Sequence, residues 1–177
     1  MSQIYEKNPA ISGTWYENRY PGCACDVPAH NYTYSFEPKS DWTSVYAGSR
    51  EIRGYFESFA AKYNLGAYIK TSHIVTEARW AEEDGQWQIT VRDLKSGQVF
   101  TDWCHILVHA AGRLNQPEWP KVPGIDQYKG VKVHSAAYDE NLSLDGKNVL
   151  IVGAGSSAVQ ILPAIQPIVK RVKILIR

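Results

Sequence analysis

Residues 148 to 160 read Asn-Val-Leu-Ile-Val-Gly-Ala-Gly-Ser-Ser-Ala-Val-Gln, and the part able to do chemistry is the Gly-x-Gly-x-x-Ala turn that starts at Gly153. Gly153 permits a tight bend, Gly155 lets backbone approach a pyrophosphate, and Ala158 allows the following helix to lie close to the preceding strand. The unpaired N–H groups and positive dipole end of a helix opening at Ser156 and Ser157 would face phosphate oxygens, with Gln160 one turn further on. Arg177 follows the next apolar run, where a guanidinium would suit a ribose 2′-phosphate and favour NADP over NAD. The alternative for Arg177 is a solvated basic edge shared with Lys170 and Arg171.

These groups need a scaffold, and the apolar pattern supplies one. Val149–Val152 predicts a strand buried on both faces, and Val159, Ile161, Leu162, Ile165 and Ile168 predict an apolar helix. Val172–Ile176 predicts a second strand closing a right-handed β-α-β unit. Further upstream, residues 47–64 read as an amphipathic helix with Ile52, Tyr55, Phe56, Phe59 and Tyr63 on one face. Ser49 would be its N-cap, and Gly66 lies just past its end. The β-rich stretches at 74–80, 87–91 and 99–103, separated by Glu-Glu-Asp-Gly and Lys-Ser-Gly turns, predict a β-meander. His105–Gly112 reads as one more buried strand.

Composition narrows the class. The 177 residues carry a net charge of +1 with interspersed signs, which gives nucleic acid or an anionic membrane no electrostatic reason to bind. The sequence shows neither an apolar run of the ~20 residues needed to span a bilayer nor a basic-then-apolar leader, so the cytoplasm is the expected location. Cys23, Cys25 and Cys104 are expected to be free thiols, and His73, His105 and His109 lack acidic or thiol neighbours at metal-ligand spacing, so no metal site is expected.

Met1–Lys7 reads as the end of a strand with Glu6 at its tip, the place of a ribose-binding carboxylate. Residues 13–32 show no clean period and are dense in aromatic and polar groups, the composition of a functional loop. Glu-Lys-x-x-x-x-x-Gly-Thr-Trp-x-x-Asn-Arg-Tyr-Pro-Gly-x-x-Cys-Asp, from Glu6 to Asp26, resembles the flavin-contacting segment of Baeyer–Villiger monooxygenases. Tyr128, Gly130, His134 and Tyr138 resemble a second fingerprint of that family, Phe-x-Gly-x-x-x-His-x-x-x-Trp-Pro, with Tyr for Phe, Tyr for Trp and Asp139 for Pro. These departures leave the N-hydroxylating and sulfur-oxidising branches open.

The resemblance implies an α/β fold: an incomplete FAD-binding Rossmann-like domain with a β-meander over 1–115, a linker over 116–145, and the first β-α-β of an NADP-binding Rossmann domain over 146–177. It implies FAD and NADPH as cofactors, and O2 and a small organic molecule, a ketone passing to an ester or lactone, as substrates. Secondary metabolism is one setting. It assigns Glu6, Thr14, Trp15, Tyr16, Glu17, Ala24, Cys25, Asp26, Tyr32 and Val75 to cofactor contact, beside Gly153, Gly155, Ser156, Ser157, Ala158, Gln160 and Arg177 of the NADP unit. Asp26 becomes an orienting carboxylate near the flavin, His134 a residue coupling cofactor movement to catalysis, and Ala110-Ala111-Gly112 a turn on the FAD side. It further implies that a family member continues upstream of Met1 and downstream of Arg177, so that this chain alone is expected to be inactive unless a second chain complements it. Two other readings are a non-catalytic nucleotide-binding remnant and a flavin disulfide reductase, for which Cys23 and Cys25 are poorly spaced.

Overall fold

The computed structural model describes residues 2–114 and 116–176. Arg177, expected at a ribose phosphate, lies outside the described residues. The chain divides into two compact units, Met1–Gly13 with Phe56–Arg113, and Thr14–Tyr55 with Leu114–Arg177.

In the first unit, strand β1 (Ile4–Glu6) pairs in parallel with β2 (Ile69–Thr71), which sets Glu6 opposite Thr71. The meander follows as an antiparallel sheet of β3 (His73–Ala81), β4 (Gln86–Asp93) and β5 (Val99–Cys104), with β4 central. Flanked on both sides, β4 buries Ile89 and Val91. Its closing turn is built by Asp93, whose carboxylate accepts from the Lys95 N–H at 2.8 Å and the Ser96 hydroxyl at 2.6 Å, with Gly97 in the left-handed region that the turn requires. A bulge between Val75 and Glu77 shifts the β3–β4 register.

The sheets of this unit are tied by side chains. The Tyr5 hydroxyl donates to Asp102 at 2.5 Å, its ring lies 6.3 Å from that of Phe100, and the Lys70 ammonium sits 5.6 Å from both ring centres. Ser72, buried and at φ +58°, donates its N–H to Asn8 at 2.8 Å and accepts from Leu94 at 2.7 Å.

The second unit begins with the short helix α1 (Thr14–Glu17) and the first half of α2 (Ser49–Lys62), whose later residues belong to the first unit. The α2 helix is shorter than expected and its ends differ. Gly48 caps the start, its carbonyl accepting from Glu51 and Ile52, while Ser49 is already helical and donates its N–H to Cys23 at 2.9 Å. Asn64, at φ +50°, takes the left-handed position after the helix that was expected near Gly66. Ile52 and Tyr55 are buried, whereas Tyr63 is exposed because it lies past the last helical turn.

Strands β6 (Asn148–Val152) and β7 (Arg171–Leu175) pair in parallel around α3 (Ser156–Ile165). The expectation of burial on both faces is corrected. Leu150 is 55% and Val152 60% exposed, while Val149 and Ile151 are half-buried, because side chains alternate and no other described element covers the second face. In α3, Ala158 and Ile165 are buried but Val159 faces solvent, and Ile168 falls beyond the helix end.

A second correction concerns 105–112. No strand forms there, and Ile106 and Val108 are 81% and 77% exposed. An apolar run makes a buried strand only when a neighbouring strand accepts its N–H and C=O groups, and no described strand pairs with this one.

Candidate functional site

The glycine turn is best formed in the second unit. Gly153 sits at φ +107°, accessible essentially to glycine alone, and its N–H donates to Leu175 at 2.9 Å, which fixes the turn at the end of the β6–β7 ladder. A Cβ at Gly153 or at Gly155 would meet nothing within 4 Å, so the space in front of both backbones is open. Gly155 is the N-cap of α3 and gives its first turn no side-chain hydrogen bond. Free amides, a helix start and open space fit a pyrophosphate. Ser156 and Ser157 form the first turn, and Ala158 is buried as the close-packing position requires.

Gln160 is placed differently from the other turn residues. Its side-chain amide donates to the Ala24 carbonyl at 2.8 Å, and its oxygen accepts from the Tyr20 hydroxyl at 2.8 Å and from the Ala24 N–H at 3.5 Å. The same region needs a glycine at position 22. Gly22 has φ +77°, and a Cβ there would stand 2.5 Å from the Gln160 carbonyl oxygen and 3.0 Å from the Ala164 side chain. Burial pushes the Tyr20 hydroxyl above its ordinary value, opposed by a hydrogen bond from Ser157 and reinforced by Cys23.

The loop from 13 to 32 is ordered by backbone pairing. Cys25 donates to Ala47 at 3.0 Å, Ala29 donates to Val45 at 2.7 Å, and Ala24 bridges Gly48. Asp26 projects to solvent beside these bonds. Trp15 and Tyr32 meet edge to face at 5.0 Å, and burial, then the charges of Asp26 and Cys25, raise the Tyr32 hydroxyl. Tyr16 lies beneath two guanidinium groups, Arg19 at 5.1 Å and Arg53 at 4.9 Å. Thr14 is exposed, and Glu17 closes α1. Cys23 and Cys25 are buried free thiols whose ionisation burial opposes, which disfavours thiolate chemistry.

His134 stands before a short 3-10 turn. Its Nδ1 accepts from the Ala136 N–H at 3.1 Å, and its ring lies edge to face with Trp119 at 5.7 Å. The Tyr128 ring folds over Gly130, and a Cβ there would meet the phenol unless that exposed ring moved aside. In the first unit, the Glu6 carboxylate accepts from the Asn8 N–H at 2.7 Å at the end of β1, and Val75 lies part-exposed beside the β3 bulge. Thus Glu6 and Val75 belong to the first unit, whereas Thr14 to Tyr32, His134 and the glycine turn belong to the second.

Four positions escape the sequence reading. Gly22 carried a signal, the Pro-Gly dipeptide of a turn. Tyr20 stands in the Asn-Arg-Tyr-Pro-Gly part of the motif, which gave no sign of its bond to Gln160, and Ser72 and Asp102 carried no signal, since their partners are remote in the chain. Among the described residues no cluster of metal-ligating side chains occurs, and no helix is long and apolar enough to cross a membrane.

The family described as flavin-binding monooxygenase-like matches residues 25–177. The FAD-binding monooxygenase tazF of Aspergillus terreus is 39% identical over 165 residues, 93% of this chain and 29% of its own length. A Baeyer-Villiger monooxygenase of Streptomyces coelicolor is 38% identical over 98% of this chain and 32% of its own. The crystal structure of cyclohexanone monooxygenase from Rhodococcus sp. Phi1 bound to NADP+ superposes with a TM-score of 0.86 at 31% identity, covering 98% of this chain and 32% of that one. The chain therefore spans about a third of the length of these relatives, and its mixed α/β architecture with open sheets matches the corresponding part of the Rossmann-containing fold.

Proposed function

The chain belongs to the flavin-binding monooxygenase-like family, and from that premise we propose that it carries NADP-binding and FAD-binding elements of a Baeyer–Villiger-type monooxygenase. The observation that carries this reading is the Gly153–Ala158 turn, with open space before both glycines and an uncapped helix start. Support for the oxidoreductase class comes from the relatives, one FAD-binding, one Baeyer-Villiger, and one a cyclohexanone monooxygenase with NADP+ bound.

FAD would supply activation of O2, and NADPH the hydride that reduces it. The residues of the chain bind and orient. Ser156, Ser157 and the α3 amides hold the NADPH pyrophosphate, and Arg177 its 2′-phosphate. Glu6 accepts from the FAD ribose hydroxyls, Trp15 and Tyr32 line the flavin, and Asp26 orients a donor beside it. His134 carries linker movement between the two stages. The substrate class is a small ketone converted to an ester or lactone, in the cytoplasm, with 1–115, 116–145 and 146–177 as FAD, linker and NADP segments. Where this length alone fails to turn over, a complementing chain would supply the rest.

The deciding measurement is calorimetric titration of the chain with NADP+ and with FAD. Binding of NADP+ that is lost in Gly155→Val supports the turn. Failure of the wild type to bind NADP+ overturns the reading. A retained flavin spectrum, bleached by NADPH and restored by air, would extend it from binding to catalysis.

A further inference from the structure

The His134 fingerprint departs from its pattern at its end, where Asp139 replaces the expected proline. There the Asp139 carboxylate accepts from the Asn141 N–H at 3.0 Å and from the Asn141 side-chain amide at 3.1 Å, while its carbonyl accepts from Leu142 at 3.0 Å. Just upstream the His134 carbonyl accepts from Ala137 at 2.9 Å, so two consecutive turns are closed by their own bonds. These bonds shape the segment without attaching it to anything. Glu140 supplies the attachment. Its carboxylate accepts from Nη2 of Arg50, in the first turn of α2, at 2.7 Å, and lies 3.7 Å from Nη1 of Arg19, just past α1. All of these residues lie in the second unit. Exposed ion pairs contribute little when two long side chains must be immobilised to form them. Here one side is already held, because the Arg19 guanidinium lies 5.1 Å from the Tyr16 ring centre, and the Arg19 and Glu140 side chains are only 39% and 34% exposed. Arg50, at 88% exposed, stays open to screening by salt.

We propose that Glu140 is a positioning residue that anchors the His134–Leu142 segment to Arg50 and Arg19, so that the hold on this linker is electrostatic where the family pattern has a proline. The anchor stands on this geometry. Its bearing on turnover rests on the reading of His134 as the residue that carries linker movement. One carboxylate between two guanidinium groups ties that residue's segment to the start of α2 and to the loop that contains Asp26.

The test is 15N relaxation of the 177-residue chain in ~0.01 M and ~1 M NaCl, between which the screening length falls from about 30 Å to about 3 Å. It is run on wild type, Glu140→Gln, Arg50→Gln and Arg50→Lys, beside a calorimetric titration of wild type with NADP+. At low salt the wild-type amides at 134–142 should have order parameters near ~0.85, and at high salt these should fall toward ~0.6. Glu140→Gln, which keeps the shape and removes the charge, should give the low values at both salt concentrations. Arg50→Gln should fall part of the way, because Arg19 remains, whereas Arg50→Lys keeps the charge and should keep the wild-type salt response. Unchanged amides at 149–158 separate loss of the anchor from loss of the fold. Order parameters at 134–142 that respond neither to salt in wild type nor to Glu140→Gln or Arg50→Gln overturn the inference. The expected salt response in a wild type that fails to bind NADP+ supports the anchor and overturns the proposed function alone.

Discussion

Strand β1 ends in a carboxylate and strand β6 ends in a glycine turn, each at the C-terminal end of a two-stranded parallel ladder. The two ladders hold these groups by different means. Around β1 side chains take a direct part, with Tyr5 bonded to Asp102 and the Glu6 carboxylate accepting from the Asn8 N–H, while the Ser72 N–H holds the Asn8 carbonyl. Around β6 the turn is held by backbone and packing, through the Gly153 bond to Leu175, the buried Ala158 and the buried Ile165. A carboxylate that must point in one direction needs neighbours to aim it, whereas amides at a helix start are aimed by the helix itself. The difference teaches that substitutions should act locally and oppositely in the two units.

Four substitutions and one pH change would break or sharpen that contrast. Ile165→Ala should cost about 2–5 kcal/mol by removing a fully buried side chain beneath the second ladder, read as a fall in the thermal midpoint. Gly153→Ala should cost ~1–3 kcal/mol through its left-handed backbone and abolish most NADP+ affinity by titration, while FAD affinity, if measurable, changes little. Tyr5→Phe should cost about 1 kcal/mol, since it removes the donor to Oδ2 of the half-buried Asp102 and leaves only the Trp103 N–H on Oδ1, and should weaken FAD more than NADP+.

Tyr5 also gives a pH signature. Burial, then its bond to Asp102, raises its hydroxyl well above the ordinary value near 10. The folded chain thus keeps this proton where the unfolded chain has released it, so the contribution is complete below the unfolded value and is lost as pH rises above it. Denaturant midpoints measured across that alkaline range should fall for wild type and stay flatter for Tyr5→Phe. Smallest of all, Val159→Ser on the exposed side of α3 should change stability by less than ~0.5 kcal/mol. A large loss there would mean that the open face is covered in solution.

The meander was legible because three β-rich runs and two turns each with a glycine leave little choice, and its strands extend one to two residues past the expected limits at most ends. The α2 helix was legible as a body but not at its ends, because Asn64 and Gly48 take cap positions that sequence assigned to Gly66 and Ser49. The 105–112 run misleads because apolar character signals burial without naming a partner. Gln160 shows the same limit in the site. Its place after the turn suggests a ligand, while its actual partners, Tyr20 and Ala24, are 140 and 136 residues away.

That separation has a consequence for biogenesis. At ~5–20 residues per second the ribosome needs on the order of ten seconds to pass from Ala24 to Gln160. During this interval Tyr20, Cys23 and the turn at Gly22 have no α3 to lie on, and the loop must wait in a form open to proteases and to chaperones. A chain carrying Gly22→Ala would lengthen that wait, because the helix arrives and cannot be seated. Its yield in cells would then fall further than the stability of the finished molecule explains.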